Sequence, residues 1–219
     1  DLQRAEYAAT ATPAGLQAPN RVNDLRTTFR EHGIAVEPRV RPDTAPPWQF
    51  AWETCGFGRT GSIVAVAPAT PESEGNLVTY RRDGWSEWYE NTPKGLEQGF
   101  TIDRRPAGEG ALQIVGRFPA ELRAVVREDG AIDFVDGAGA RAIRYGGLHC
   151  WDAEGTILSC ELVVSDDTIA IVVQDRAAVY PVTIDPLMTS PAWTVEANQS
   201  GALLGYSVST AGDVNGDGF

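Results

Sequence analysis

The stretch that decides the fold is Asn76–Ile102, NLVTYRRDGWSEWYENTPKGLEQGFTI. Leu77–Arg82 and Trp85–Asn91 are rich in β-branched and aromatic residues, with Asp83-Gly84 between them. An Asp-Gly pair between two such runs signals a hairpin, because the favoured two-residue turn needs positive φ at both central positions. Asn91-Thr92-Pro93-Lys94-Gly95 has the composition of a second turn, which would set the register of the strand after it. On the middle strand Trp85 and Tyr89 share one face and Trp88 takes the other. One face must therefore be core, and aromatics on the other could stack on a sugar ring or a partner chain.

The same grammar extends in both directions. Short runs such as WQFAWETC, GSIVAV, ALQIVGRF, AIDFV, RAIRYGG, TILSCELVV, TIAIVV and AVYPVTI recur, separated by Gly, Asp, Asn and Pro. Asp129-Gly130, Asp136-Gly137 and Glu154-Gly155 read as further hairpin turns. No helical pattern stands out between residues 48 and 186. The expected fold is all-β, a β-sandwich-like domain of meandering hairpins over residues 20–187. Residues 1–19, rich in Ala, Thr and Pro, read as a flexible leader with the look of a mature end after signal cleavage. Val22, Leu25 and Phe29 fit one helical face, whereas Leu25, Thr27 and Phe29 alternate as a strand would; a hairpin closing at Gly33 is the preferred reading and a short helix at 21–31 the alternative. Residues 188–192 read as a linker, and a new segment starts near Trp193.

The chain has 219 residues with 42% hydrophobic content, enough for a real core. Its formal net charge of -12 argues against nucleic acid and anionic membrane as partners and suits divalent cations. No run of about 18 apolar residues occurs, so no membrane-spanning helix is expected. Among the three cysteines, Cys150 and Cys160 flank the apparent turn at Trp151–Thr156. They could face each other across two strands and close a disulfide, or all three could be buried thiols. The absence of a CxxC pair argues against a cysteine zinc site.

The tail, WTVEANQSGALLGYSVSTAGDVNGDGF, places Asp213, Asn215 and Asp217 on alternate positions with Gly218 after them. Alternating Asp and Asn side chains converge on one point, and Ca2+ takes several such oxygen ligands. Preceded by Gly205-Tyr206-Ser207-Val208 and Ala211-Gly212, this run resembles the start of an FG-GAP repeat, the blade unit of integrin-α-type β-propellers. The resemblance implies that residues 193–219 are the first part of a propeller blade, with Asp213, Asn215, Asp217 and the Phe219 carbonyl as Ca2+ ligands. The family's next Asp would fall beyond Phe219, so this chain alone should bind Ca2+ weakly, and it reads as a fragment of something longer. A plain Asx-rich turn, or the loop of a dockerin or EF-hand, competes for the same hexapeptide. Ser86–Ile102, Arg144–Gly155 and Tyr180-Pro181-Val182-Thr183-Ile184-Asp185-Pro186 together resemble the β-rich module that precedes propeller repeats in large bacterial secreted or surface proteins. That resemblance carries no catalytic residues.

Catalytic constellations are sparse. The two histidines, His32 and His149, are far apart, and His149 and Cys150, as strand neighbours, should point to opposite faces. Glu87, Glu90, Glu97 and Asp103 lie near the aromatics and leave a glycosidase-like pair open, against the plainer reading of solvated turns. The expected role is non-enzymatic: an extracellular surface, adhesion or assembly protein, with a protein or glycan partner or strand addition to a neighbouring chain. A carbohydrate-binding module using Trp85, Trp88 or Tyr89, or an accessory region of a secreted hydrolase, is the alternative.

Overall fold

In the computed structural model, residues 7–13, 15–39 and 48–189 are described. They form seventeen strands and no helix. In chain order these are β1 (Thr10–Thr12), β2 (Gly15–Asn20), β3 (Leu25–Arg30), β4 (Gly33–Pro38), β5 (Phe50–Arg59), β6 (Ser62–Ala65), β7 (Glu72–Glu74), β8 (Leu77–Arg82) and β9 (Trp85–Thr92). There follow β10 (Gly95–Ile102), β11 (Leu112–Arg117), β12 (Arg123–Val126), β13 (Ile132–Val135), β14 (Arg141–Trp151), β15 (Cys160–Ser165), β16 (Thr168–Val173) and β17 (Val182–Thr189).

Two antiparallel sheets result. The first runs β1-β2-β3-β4-β5-β11-β16-β15, with β6 added to β5; the second runs β12-β13-β14-β17-β10-β9-β8-β7. The stretch around Asp83-Gly84 folds as read: β8, β9 and β10 are consecutive hairpin partners, with Arg82 opposite Trp85 and Thr92 opposite Gly95. Gly84 takes φ +81°, a conformation open to glycine at little strain. The expected all-β, sandwich-like class is what the chain adopts. No helix among the described residues is long and apolar enough to cross a membrane.

Three expectations need correction. Within the expected leader, Thr10–Thr12 and Gly15–Asn20 are strands, and Ala18 and Asn20 are each only 1% exposed. The Ala/Thr/Pro composition hid them because β1 and β2 lie at a sheet edge, where small and polar residues suffice. The hairpin preferred at 21–36 does form and the alternative helix at 21–31 does not: β3 pairs β4 from Leu25↔Pro38 to Arg30↔Gly33. The linker expected at 188–192 begins inside β17, where Met188 is fully buried. Glu154-Gly155 turns the chain back onto a single antiparallel bridge, Trp151↔Ile157, but does not pair β14 with β15, which lie in different sheets.

The sheets pack through two hydrophobic clusters. One gathers Phe29, Val36, Phe50 and Trp52 of the first sheet against Tyr80, Tyr89, Phe134, Tyr145 and Met188 of the second. The other gathers Leu112, Ile114, Ile171 and Val173 against Trp85, Phe100, Ile102, Cys150, Val182 and Ile184. Ring pairs cross the gap: Phe29–Tyr89 at 5.6 Å, Phe50–Phe134 at 4.8 Å, Trp52–Tyr145 at 5.2 Å and Phe57–Trp85 at 4.7 Å. Between the clusters lies a polar layer. On β9 the inward sequence is Trp85, Glu87, Tyr89, and on β10 it is Phe100, Gln98, Leu96. Glu87 accepts hydrogen bonds from Tyr89 (2.6 Å) and Gln98 Nε2 (3.0 Å), and Tyr145 donates to Gln98 Oε1 (2.7 Å).

Candidate functional site

The aromatic residues singled out on β9 part company. Trp85 is 5% exposed, stacked on Phe57 with the Arg82 guanidinium 5.0 Å over its ring. Tyr89 is fully buried and bonded to Glu87. Neither is available to a ligand; the strand alternation that pairs them also commits both to the core. Trp88 alone faces outward. Its ring lies flat on the outer face of the second sheet over Gly99, and its Nε1–H donates to Thr101 Oγ1 at 3.2 Å.

Strand register assembles the surroundings. Thr79 pairs with Trp88, Trp88 with Gly99, and Asp185 with His149. The pairs Phe100↔Ile184 and Glu97↔Leu187 set Gly99 beside Asp185. One row across four neighbouring interstrand steps thus reads Thr79, Trp88, Gly99, Asp185, His149. On one side Glu90 pairs with Glu97. On the other, Thr101 pairs with Thr183 and Thr183 with Trp151. All of these except exposed His149 and fully packed Gly99 are half-buried.

This outer face concentrates carboxyl groups. Asp185 is hydrogen-bonded to Glu97 with Glu90 nearby, and its pKa is pushed up to about 7. Partial burial is the main cause, followed by the negative charge of Glu97, the shared hydrogen bond and the charge of Glu90. Asp185 was not a candidate on sequence grounds; it became one because β17 inserts between β10 and β14, a long-range pairing. Asp103, by contrast, is exposed beyond the end of β10, and Glu87 belongs to the core layer.

Other buried charges are engaged in structure. Asp175, 1% exposed, accepts from Arg59 Nη1 (2.6 Å), Arg105 Nη1 (3.1 Å) and the Tyr180 hydroxyl. Burial alone would raise the Asp175 pKa, but the hydrogen bonds from Arg59 and Tyr180 hold it below the usual carboxylate range. A cavity of about 500 Å³ borders this network, lined by Arg59, Arg105, Glu109 and Arg176 among others. Asp133 is similarly held by Arg127 (2.7 Å) and Arg144 (2.9 Å).

The cysteines are free thiols. Cys150 is buried and His149 exposed, the opposite faces expected of strand neighbours, so no Cys–His dyad forms. Among the described residues no group of three or more His, Cys, Asp or Glu could hold a metal ion. Asp213, Asn215, Asp217 and Phe219, the expected Ca2+ ligands, lie outside the described residues. No protein-family model matches the chain, and no curated protein matches it.

Proposed function

We propose that this is a non-enzymatic extracellular protein of the surface, adhesion or assembly class, and that the outer face of the second sheet is where its all-β domain meets a partner. The observation carrying this reading is the Trp88 ring, laid flat beside a row of carboxyl groups. An aromatic face stacks on the apolar face of a sugar, and carboxylates accept from its hydroxyls. Of a protein and a glycan partner, the geometry favours a glycan. The net charge of -12 and the local carboxyls favour a neutral one over an acidic one.

The hydrolase alternative is less well supported on this face. Glycosidase carboxyl pairs stand roughly 5–9.5 Å apart to flank a scissile bond. Glu97 and Asp185 are instead hydrogen-bonded to each other. The calcium-loop propeller remains part of the proposal: Asp213, Asn215 and Asp217 would contribute to a Ca2+ site and Phe219 a carbonyl, completed by further ligands.

A glycan array followed by calorimetry tests the reading. Neutral glycans should bind wild-type protein, and Trp88→Ala should lose that binding with unchanged circular dichroism. Chelation of Ca2+ should leave it intact. An array without hits, or a Trp88→Ala protein that binds as before, would remove the proposal.

A further inference from the structure

Cys150 and Cys160 meet across the gap between the two sheets. Cys150 sits on β14, where Cys150↔Ile184 fixes it in the second sheet. Cys160 opens β15, where Cys160↔Val173 fixes it in the first. The segment between them is pinned independently. Asp152 Oδ1 accepts from the Glu154 and Thr156 amides, and Oδ2 from Val179 N–H at 3.0 Å. Leu158 N–H donates to the Cys150 carbonyl at 2.8 Å. Cys150 belongs to the hydrophobic cluster around Ile114, Ile171 and Ile184, and Cys160 packs against that same cluster, near enough for each thiol to shift the other's pKa.

We propose that Cys150 and Cys160 are a redox pair that closes into a disulfide joining the two sheets. The backbone at both ends is held by ladders, and closure brings the two Cβ atoms to about 3.5–4.5 Å from each other. The thiols differ in role. Cys160 is half-buried, and its interaction with the Cys150 thiol holds its pKa below the usual thiol value; Cys150 is fully buried, with its pKa raised chiefly by that same interaction and by burial. Cys160 is therefore the attacking thiol. Its thiolate displaces one thiol from a small-molecule disulfide and forms a mixed disulfide. Cys150 then loses its proton and attacks the Cys160 sulfur, displacing the second small thiol. Two protein thiols are oxidised and one external disulfide is reduced to two thiols. The bond secures β15, an edge strand of the first sheet, to the interior of the second. Cys55, half-buried on β5 with its thiol directed at the Val115 carbonyl (3.5 Å), takes no part.

The test treats the folded full chain with oxidised glutathione, alkylates it and maps its peptides. The expected product links the Cys150 and Cys160 peptides, is lighter by two hydrogens, and carries the alkyl group on Cys55. Its thermal midpoint should fall by several degrees on reduction, and that response should vanish in Cys160→Ser. Cys150→Ser should trap a glutathionyl group on Cys160, whereas Cys160→Ser should leave Cys150 unmodified. Alkylation of all three cysteines in folded protein, or a linkage that includes Cys55, would overturn the proposal. No ligand enters this experiment, so its failure is distinct from failure of the glycan reading.

Discussion

At the scale of the residue, Asp185 and Gly99 shape the outer face in opposite ways. The fold raises the Asp185 pKa from 3.8 to about 7, so it favours the protonated form. The stability this group contributes is full below pH 3.8, is lost as pH rises through the interval to about 7, and is constant above it. Asp185→Asn should therefore be more stable than wild type at pH 8, by ~1–2 kcal/mol after allowance for solvent screening, with the difference closing near pH 4. Denaturant unfolding across pH 4–8 measures this, and a pH-independent difference would refute it. Gly99 lacks the atom that would collide with Trp88: a Cβ there would sit 1.9 Å from Trp88 Cζ2. Gly99→Ala should lift the indole off the sheet, costing ~1–3 kcal/mol and shifting its emission to the red. Unchanged emission and thermal midpoint would mean that the ring does not rest there. The outward position of Trp88 was legible from alternation alone. Its carboxyl neighbours were not, because they arrive on strands distant in sequence.

At the scale of the element, strands with dense β-branched and aromatic residues were legible, and those built from small or polar ones were not. β8–β10 announced themselves through Asp83-Gly84, whereas β1 and β2 carry Thr, Ala, Gln and Pro. What holds β2 is also invisible locally: Asn20 Nδ2 donates to Asn91 Oδ1 on β9 at 2.8 Å, joining the sheets. The end of β5 depends on a comparable long-range bond. Arg59 and Asp175 have side chains 3% and 1% exposed, and the arginine also donates to the carbonyls of Pro106 and Gly110. Asp175→Ala would leave a buried guanidinium without its counter-charge, which costs about 3–5 kcal/mol. Replacing both partners with Met at 59 and Leu at 175 should recover much of that loss. Urea unfolding of the single and paired variants decides it; equal losses in both would show that packing, not charge, is what Asp175 supplies. The lowered Asp175 pKa adds a pH signature opposite to that of Asp185: stability present above pH 3.8 and lost as pH falls below it.

At the scale of the whole molecule, the two hydrophobic clusters raise the question of whether the domain unfolds in one step or two. The strands answer it, because most of the central ones serve both clusters. β9 carries Tyr89 in one and Trp85 in the other; β10 carries Leu96 and Phe100; β17 carries Met188 and Ile184; β16 carries Ile169 and Ile171. Losing either cluster would strip half the side chains from strands that the other still needs. The Glu87–Gln98–Tyr145 layer between them binds the clusters further, since each group satisfies another and none can be exposed alone at low cost. Unfolding should accordingly be a single cooperative transition. Gln98→Leu, which orphans the buried Tyr145 hydroxyl and removes a donor to Glu87, should destabilise both clusters together by about 2–4 kcal/mol rather than separate them. Hydrogen exchange on β3 and β11 gives the measurement, since β3 borders one cluster and β11 the other. In wild type and variant alike, their slowest amides should report one common free energy of opening. Two distinct values, or loss of protection on β3 with β11 unchanged, would mean that the clusters fold as separate units.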